Sequence, residues 1–281
     1  MNKIIQQQLD RYAAKDGNEE EHALKEIIQE LALYALWRAD FFQVAAFQGG
    51  TSLRILYGLS RFSEDLDFVL KEPEPNFDWT AYLKQLLLVF EEYGIEAEAL
   101  PKGSLDKPMR MAVIKDSSVV NQLNLSFYSA PAGKKLKIKL EIDVNPPAGS
   151  GFDFSYLEFP TDYEVCHQDL SSNFALKIHA LLCRGFIKGR DWYDFNWYIK
   201  QGVSPNLCLL KNALLQAGPW KGQGDLAVDN DWLKGALQKK IDSIDWLKAA
   251  NDVAPFLNAL EQPSLSLWSA RLFSQKLSKL T

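Results

Sequence analysis

Two short segments of this 281-residue sequence hold the residue types best suited to chemistry. Gly49-Gly50-Thr51-Ser52 interrupts an apolar helical pattern, and Asp65-Leu66-Asp67-Phe68 follows after a spacer of residues 52–64. Paired glycines let a backbone turn sharply and approach a ligand closely. Thr51 and Ser52 add hydroxyls at the start of a short predicted helix, whose free N–H groups favour an anion. Asp65 and Asp67 are two apart on a predicted strand, so both carboxylates leave the same face. Like charges so close repel unless a cation lies between them, and Mg2+ suits such a pair together with substrate phosphates. Glycine pairs and Asp-x-Asp are each common in ordinary loops and exposed strands. Their combination at this spacing, with Leu66 and Phe68 on the opposite, buried face, carries the functional reading.

A third carboxylate is available on another strand. Leu136, Ile138, Leu140, Ile142 and Val144 alternate with Lys137, Lys139, Glu141 and Asp143. The period of two predicts one packed face and one that points to solvent or a cleft. Asp143 is the candidate to share a metal or accept a proton from an attacking hydroxyl, with Glu141 as its competitor. An ordinary solvated face of alternating charge is the plainer reading of this strand alone.

Further along, Lys177 and Arg184 are seven apart and share a helix face, where two cations could bind a triphosphate. Lys188, Arg190 and Asp191 follow, and Asp191 and Asp194 share a face at a spacing of three. The plain alternative is an Arg190–Asp194 surface pair, worth about 0.2–0.5 kcal/mol. His179 points away from Lys177 and reads as structural.

The elements that must position these residues fall into an α+β order. Residues 3–45 read as helix, with a polar break near 16–18. A short helix from 53 ends at Gly58, and residues 66–70 form a strand. Residues 78–94 form a helix closed by Gly94. Strands are predicted over 95–100, 108–116, 119–128 and 136–144. After a linker near 149–151 come helices over 171–185, 190–201, 206–216, 229–248 and 265–279. The expectation is residues 1–155 as a sheet domain with N-terminal helices, and 156–281 as a helical domain completing the active-site cleft.

Composition narrows the classes. Hydrophobic residues at 47% and charged residues at 24% exclude a disordered chain, a collagen-like fibre and a disulfide scaffold. The start lacks an apolar signal core, so a cytoplasmic protein without membrane contact is expected. Thirty-one Lys and Arg against 36 Asp and Glu give −5, which argues against a general nucleic-acid coat and allows a local basic patch. Three Cys without CxxC and three His without HExxH point any metal toward carboxylates.

Phe47-Gln48-Gly49-Gly50-Thr51-Ser52-Leu53-Arg54, with Arg61-Phe62-Ser63-Glu64-Asp65-Leu66-Asp67-Phe68, resembles the nucleotidyltransferase signature, its spacer at the upper end of that pattern. More narrowly, it resembles the AbiEii/AbiGii toxin family of abortive-infection toxin–antitoxin pairs, within the DNA polymerase β-like superfamily. Ala175-x-Lys177-x-His179-Ala180-Leu181, Arg184, Lys188-Gly189-Arg190-Asp191-x-Tyr193-Asp194 and the run 252–257 are similar to the family's later motifs.

The resemblance implies a nucleotidyltransferase-like mixed sheet with flanking helices, followed by a helical C-terminal domain. It implies Mg2+-dependent (or Mn2+-dependent) transfer of a nucleoside monophosphate from an NTP to an acceptor hydroxyl, an activity of the EC 2.7.7 type. By resemblance the acceptor is the 3′ end of a tRNA or another RNA, and a cognate antitoxin is a partner. Gly50, Thr51 and Ser52 would hold the β- and γ-phosphates, with Gly49, Arg61, Ser63, Arg184 and Arg190 among the nucleotide-binding residues. Asp65, Asp67 and Asp143 would ligate the metal, Lys177 would neutralise phosphate, and Asp191 would be a further catalytic acid. Ser63 matches a serine that relatives modify on themselves. Lys134, Lys135, Lys137 and Lys139, with Lys177, Arg184, Lys188 and Arg190, offer positive charge to an RNA backbone. The alternatives are a protein or small-molecule acceptor and an inactive NTP-binding module.

Overall fold

Strong apolar periodicity and good caps build the first helices. The structure, a computed structural model, describes residues 3–102, 108–116, 118–129 and 135–280. Helices α1 (Lys3–Tyr12) and α2 (Gly17–Arg38) are separated by Asp16, which caps α2 by accepting from the amides of Asn18 and Glu19, both at 2.9 Å. A short α3 (Phe41–Val44) leads into strand β1 (Ala45–Gln48), then α4 (Gly49–Tyr57), β2 (Asp65–Leu70) and α5 (Thr80–Glu92). Strands β3 (Ala97–Lys102), β4 (Met109–Asp116), β5 (Leu136–Asp143), β6 (Phe152–Leu157) and β7 (Tyr163–Gln168) follow. Helices α6 (Leu170–Cys183), α7 (Gly189–Lys200), α8 (Leu207–Gln216), α9 (Asn230–Ser243), α10 (Trp246–Val253) and α11 (Ala270–Leu277) complete the chain.

The fold is mixed α+β, as expected. Seven strands lie in the order β3-β4-β5-β2-β1-β7-β6. β2 runs antiparallel to β1 and parallel to β5, while β4 is antiparallel to both β3 and β5. β5 keeps its period of two: Leu136, Ile138, Leu140 and Ile142 are buried, each burial worth about 1.5–3 kcal/mol.

Two compact units emerge. One holds the chain up to Gly58, Phe62–Pro146 and Phe154–His167, and the other holds Leu59–Arg61, Pro147–Asp153 and the chain from Gln168. The predicted boundary at 155–156 falls inside β6. In the first unit α2 packs on α1, α5 and β5. The second unit has an aromatic core, with Phe174 stacked on Tyr198 at 4.3 Å and Trp246 on Phe273 at 4.2 Å.

Several predicted elements need correction. Residues 119–128 are not a strand: Val119–Gln122 is a 3-10 helix, and the buried Glu20 carboxylate captures the amides of Ser126, Phe127 and Tyr128 at 2.9, 2.8 and 2.6 Å. Those donors are thereby unavailable to a sheet ladder. Ala45, the last residue of the first predicted helix, instead opens β1, and β1, β6 and β7 occupy stretches otherwise given no element. The helix predicted over 229–248 breaks at Asp245, whose carboxylate caps α10 by accepting from the Lys248 amide at 3.1 Å. The last helix is shorter than predicted and starts where Ser269 accepts from the Leu272 amide at 3.3 Å.

Candidate active site

The antiparallel β1–β2 pair sets the geometry of the first centre. Its register puts Gln48 opposite Asp67, and the chain turns into α4 at the very next residue. Gly49 has φ +78°, and a β-carbon there would lie 2.7 Å from Asp67 Oδ2, so glycine is required by both conformation and space. The start of α4 is thus packed directly onto one carboxylate of the pair. Thr51 and Ser52 are buried, and their hydroxyls hold the turn: Thr51 Oγ1 donates to the Asp65 carbonyl, and Ser52 Oγ to the Gly49 carbonyl at 2.8 Å. Both hydroxyls therefore brace the loop.

Asp65 and Asp67 are half-buried on one face of β2, with Leu66 and Phe68 fully buried on the other. The parallel register with β5 sets Asp65 opposite Lys139, Asp67 opposite Glu141 and Val69 opposite Asp143. Glu141, the competing candidate, thus stands beside the acid pair, and Asp143 is on the same face but two residues further on. Asp143 accepts from the Asn145 amide at 3.0 Å, and burial pushes its carboxyl above the ordinary range despite that bond. Lys139 Nζ lies 2.5 Å from Glu141 Oε1. Burial works against the Lys139 charge, but Glu141, Asp65 and Asp67 together raise its pKa. Ser63, just before the pair, is buried, and its carbonyl accepts from Gln29 Nε2 at 3.0 Å.

Oxygen donors on a half-buried strand fit a hard divalent cation, which is commonly held by one or two carboxylates plus substrate phosphates. Among the described residues no group of three His, Cys, Asp or Glu forms a ready-made metal cluster.

The second unit holds a different constellation. Lys177 on α6 reaches two acids of α7, with Nζ 2.8 Å from Asp191 Oδ1 and 2.8 Å from Asp194 Oδ2. Arg184, which caps α6, pairs with Asp191 Oδ2. Arg61 grips Asp194 with two bonds, Nε to Oδ1 at 2.6 Å and Nη2 to Oδ2 at 2.7 Å. Burial alone would raise both carboxyls, yet both lie below the usual range. Lys177, Arg184 and Lys188 hold Asp191 down, and Arg61 and Lys177 hold Asp194 down. Gly189 opens α7 where a β-carbon would sit 1.8 Å from the Ala249 carbonyl oxygen, and its amide donates to Asp252 at 2.8 Å.

Lys177 and Arg184 converge on Asp191, although Arg184 stands just past the end of α6, and Asp191 and Asp194 share a face of α7. The Arg190–Asp194 surface pair gives way to Arg61–Asp194, buried and 133 positions apart in sequence. Arg190 instead lies over the Phe256 ring at 4.1 Å. His179 faces the Ala217 carbonyl oxygen at 3.1 Å. Of the predicted basic strip, Lys134 lies outside the described residues, and Lys135 pairs with Glu98 at 3.1 Å. The sequence offered Asp194 only a shared face with Asp191 and a surface pair with Arg190; its spacing from Asp191 was the available signal for more. No helix of the described residues is long and apolar enough to cross a membrane.

The mixed sheet carrying an acid pair beside a glycine-led helix is that of a nucleotidyltransferase. Two solved structures share the fold: a candidate nucleotidyltransferase from H. pylori, at 19% identity, with 90% of this chain and 95% of that one covered and a TM-score of 0.50; and JHP933 from Helicobacter pylori, at 19% identity, 92% and 94% coverage and a TM-score of 0.51. The profile of the family described as "Nucleotidyl transferase AbiEii toxin, Type IV TA system" matches residues 31–275. The chain belongs to this AbiEii nucleotidyltransferase toxin family, which implies an NTP substrate and a cognate antitoxin. No curated protein matches it significantly.

Proposed function

We propose that the protein is an Mg2+-dependent (or Mn2+-dependent) nucleotidyltransferase of the EC 2.7.7 type. It transfers a nucleoside monophosphate from an NTP to an acceptor hydroxyl, here assigned to the 3′ end of a tRNA, and acts as the toxin of a type IV pair. The observation that carries the reading is the packing of the Gly49 turn against Asp67, which sets phosphate-binding amides beside a cation-seeking carboxylate pair. Asp65 and Asp67 would hold the divalent ion; when bound it supplies the charge neutralisation that phosphoryl transfer needs.

The chain's own groups do the rest. Amides of residues 49–52 hold the terminal phosphates, and the bracing hydroxyls keep that loop in one shape before substrate arrives. Lys177 neutralises phosphate charge, with Arg184 beside it on the shared acid Asp191. A third carboxylate, assigned to Asp143 or Glu141, accepts the proton of the attacking hydroxyl; the register favours Glu141. Lys137, Lys139 and Lys188 add charge for an RNA backbone.

The test is incubation of the full chain with labelled triphosphates, Mg2+ and total RNA. Label in the tRNA fraction is expected. Label in protein or in a small molecule would replace the acceptor, and tight triphosphate binding without transfer would reduce the protein to a binding module.

A further inference from the structure

Asp194 and Arg61 stand behind Lys177. Asp194 is fully buried and Arg61 is 2% exposed, while the side chains of Lys177 and Arg184 are 12% and 32% exposed. An anion arriving from solvent therefore meets Lys177 and Arg184, and Arg61 is shut behind them. Both Asp194 oxygens are occupied, one by Arg61 alone and the other shared between Arg61 and Lys177. The hydrogen-bonded chain runs Arg61, Asp194, Lys177, Asp191, Arg184, with alternating sign. With Lys188, which also acts on Asp191, the cations outnumber the two carboxylates, and Arg61 is the most deeply buried of them. Lys177 makes two of these contacts and carries three donors, so one N–H remains beyond those two.

We propose that Arg61 and Asp194 are positioning residues for Lys177. Asp194, clamped by the Arg61 fork, fixes the Lys177 ammonium, and Arg61 offsets the Asp194 charge so that the Lys177 charge stays available to a triphosphate. This moves Arg61 from a nucleotide contact to a support, and it rests on the phosphate-neutralising role of Lys177 proposed above. A bidentate guanidinium–carboxylate pair suits the task because it fixes the angle of the acid as well as its distance.

The experiment compares Arg61→Gln, Arg61→Lys and Asp194→Asn in the full chain, each checked by thermal melting. One readout is the binding of inorganic tripolyphosphate with Mg2+ by calorimetry; the other is label transfer across pH. Arg61→Gln should weaken tripolyphosphate binding about tenfold or more, whereas Arg61→Lys keeps the affinity and loses kcat several-fold because the fork is gone. Asp194→Asn should lower kcat about tenfold or more. It should also move the alkaline limb of kcat/KM to lower pH. Lys177 then keeps only Asp191 as a carboxylate partner and still faces Arg61 and Lys188. A pair that merely braced the fold would lower the melting temperature and leave that limb in place.

Folded Arg61→Gln and Asp194→Asn with wild-type binding and an unmoved limb overturn the proposal. If neither folds, Arg61→Lys decides, and wild-type kcat in it overturns the proposal. If the wild type transfers no label, the proposed activity fails, and tripolyphosphate binding alone decides the role of Arg61.

Discussion

On β2 two carboxylates stand two residues apart, half-exposed, with Lys139 beside them; between α6 and α7 two others are closed off from water and held by Arg61, Lys177 and Arg184. The first arrangement sets two like charges on one face with Lys139 as a neighbouring cation, and a divalent ion is proposed to join them. The second neutralises every carboxylate from within the chain, which removes the need for such an ion and fixes cationic side chains instead. Two kinds of charged site are thus set apart: one proposed to receive a cation, the other proposed to present one.

The largest expected effect is in the first centre. Asp67→Asn should lower nucleotide transfer about a thousandfold in single-turnover assays, from lost charge stabilisation. It should leave the melting temperature at or above that of the parent, because a repulsive pair is relieved. The buried centre should respond the other way. Asp194→Ala leaves Arg61 without its partner, and denaturant unfolding should show a loss of about 3–5 kcal/mol.

Next comes Gly49→Ala, which forces a β-carbon to 2.7 Å from Asp67 Oδ2 at a φ of +78°. Transfer should fall about ten- to a hundredfold, with the circular dichroism spectrum unchanged. Glu141→Gln should then cost more transfer than Asp143→Asn, about tenfold more, because the register sets Glu141 and not Asp143 opposite Asp67. The reverse order would return the role to Asp143.

The smallest effect tests a half-buried acid of the first unit outside both centres. Burial, with the nearby Glu26 charge, lifts the Glu30 carboxyl from 4.5 to about 7, while Tyr12 donates to it at 3.2 Å. The native state then holds this proton more tightly than the unfolded chain, so stability falls as pH rises from 4.5 to about 7. Glu30→Gln removes that loss. Its melting temperature should exceed the parent's by a few degrees at pH 8, and the gain should vanish at pH 5.

How much of this was legible in the sequence follows the same division. The Gly-Gly-Thr-Ser turn and the Asp-x-Asp strand are local patterns, and both appear where spacing and alternation predict them. So do the regular face of β5 and the shared face of Asp191 with Asp194. Contacts distant in sequence were invisible. Arg61 and Asp194 are separated by 133 positions, and nothing near either announces the other. Glu20 captures amides more than 100 positions away and turns a predicted strand into loop. β1, four residues long with two alanines, is too short for alternation to show. The bracing bonds of the Thr51 and Ser52 hydroxyls were hidden because a sequence shows their type and not their partners.

The proposed reaction transfers a nucleoside monophosphate from an NTP and depends on the β2 acid pair. Parallel reactions with triphosphates labelled at the α- or the γ-phosphate test it most directly, in the wild type and in Asp67→Asn. Acceptor label is expected from the α-phosphate alone, and about a thousandfold less of it with Asp67→Asn. Label carried from the γ-phosphate, or α-label undiminished in Asp67→Asn, would contradict it.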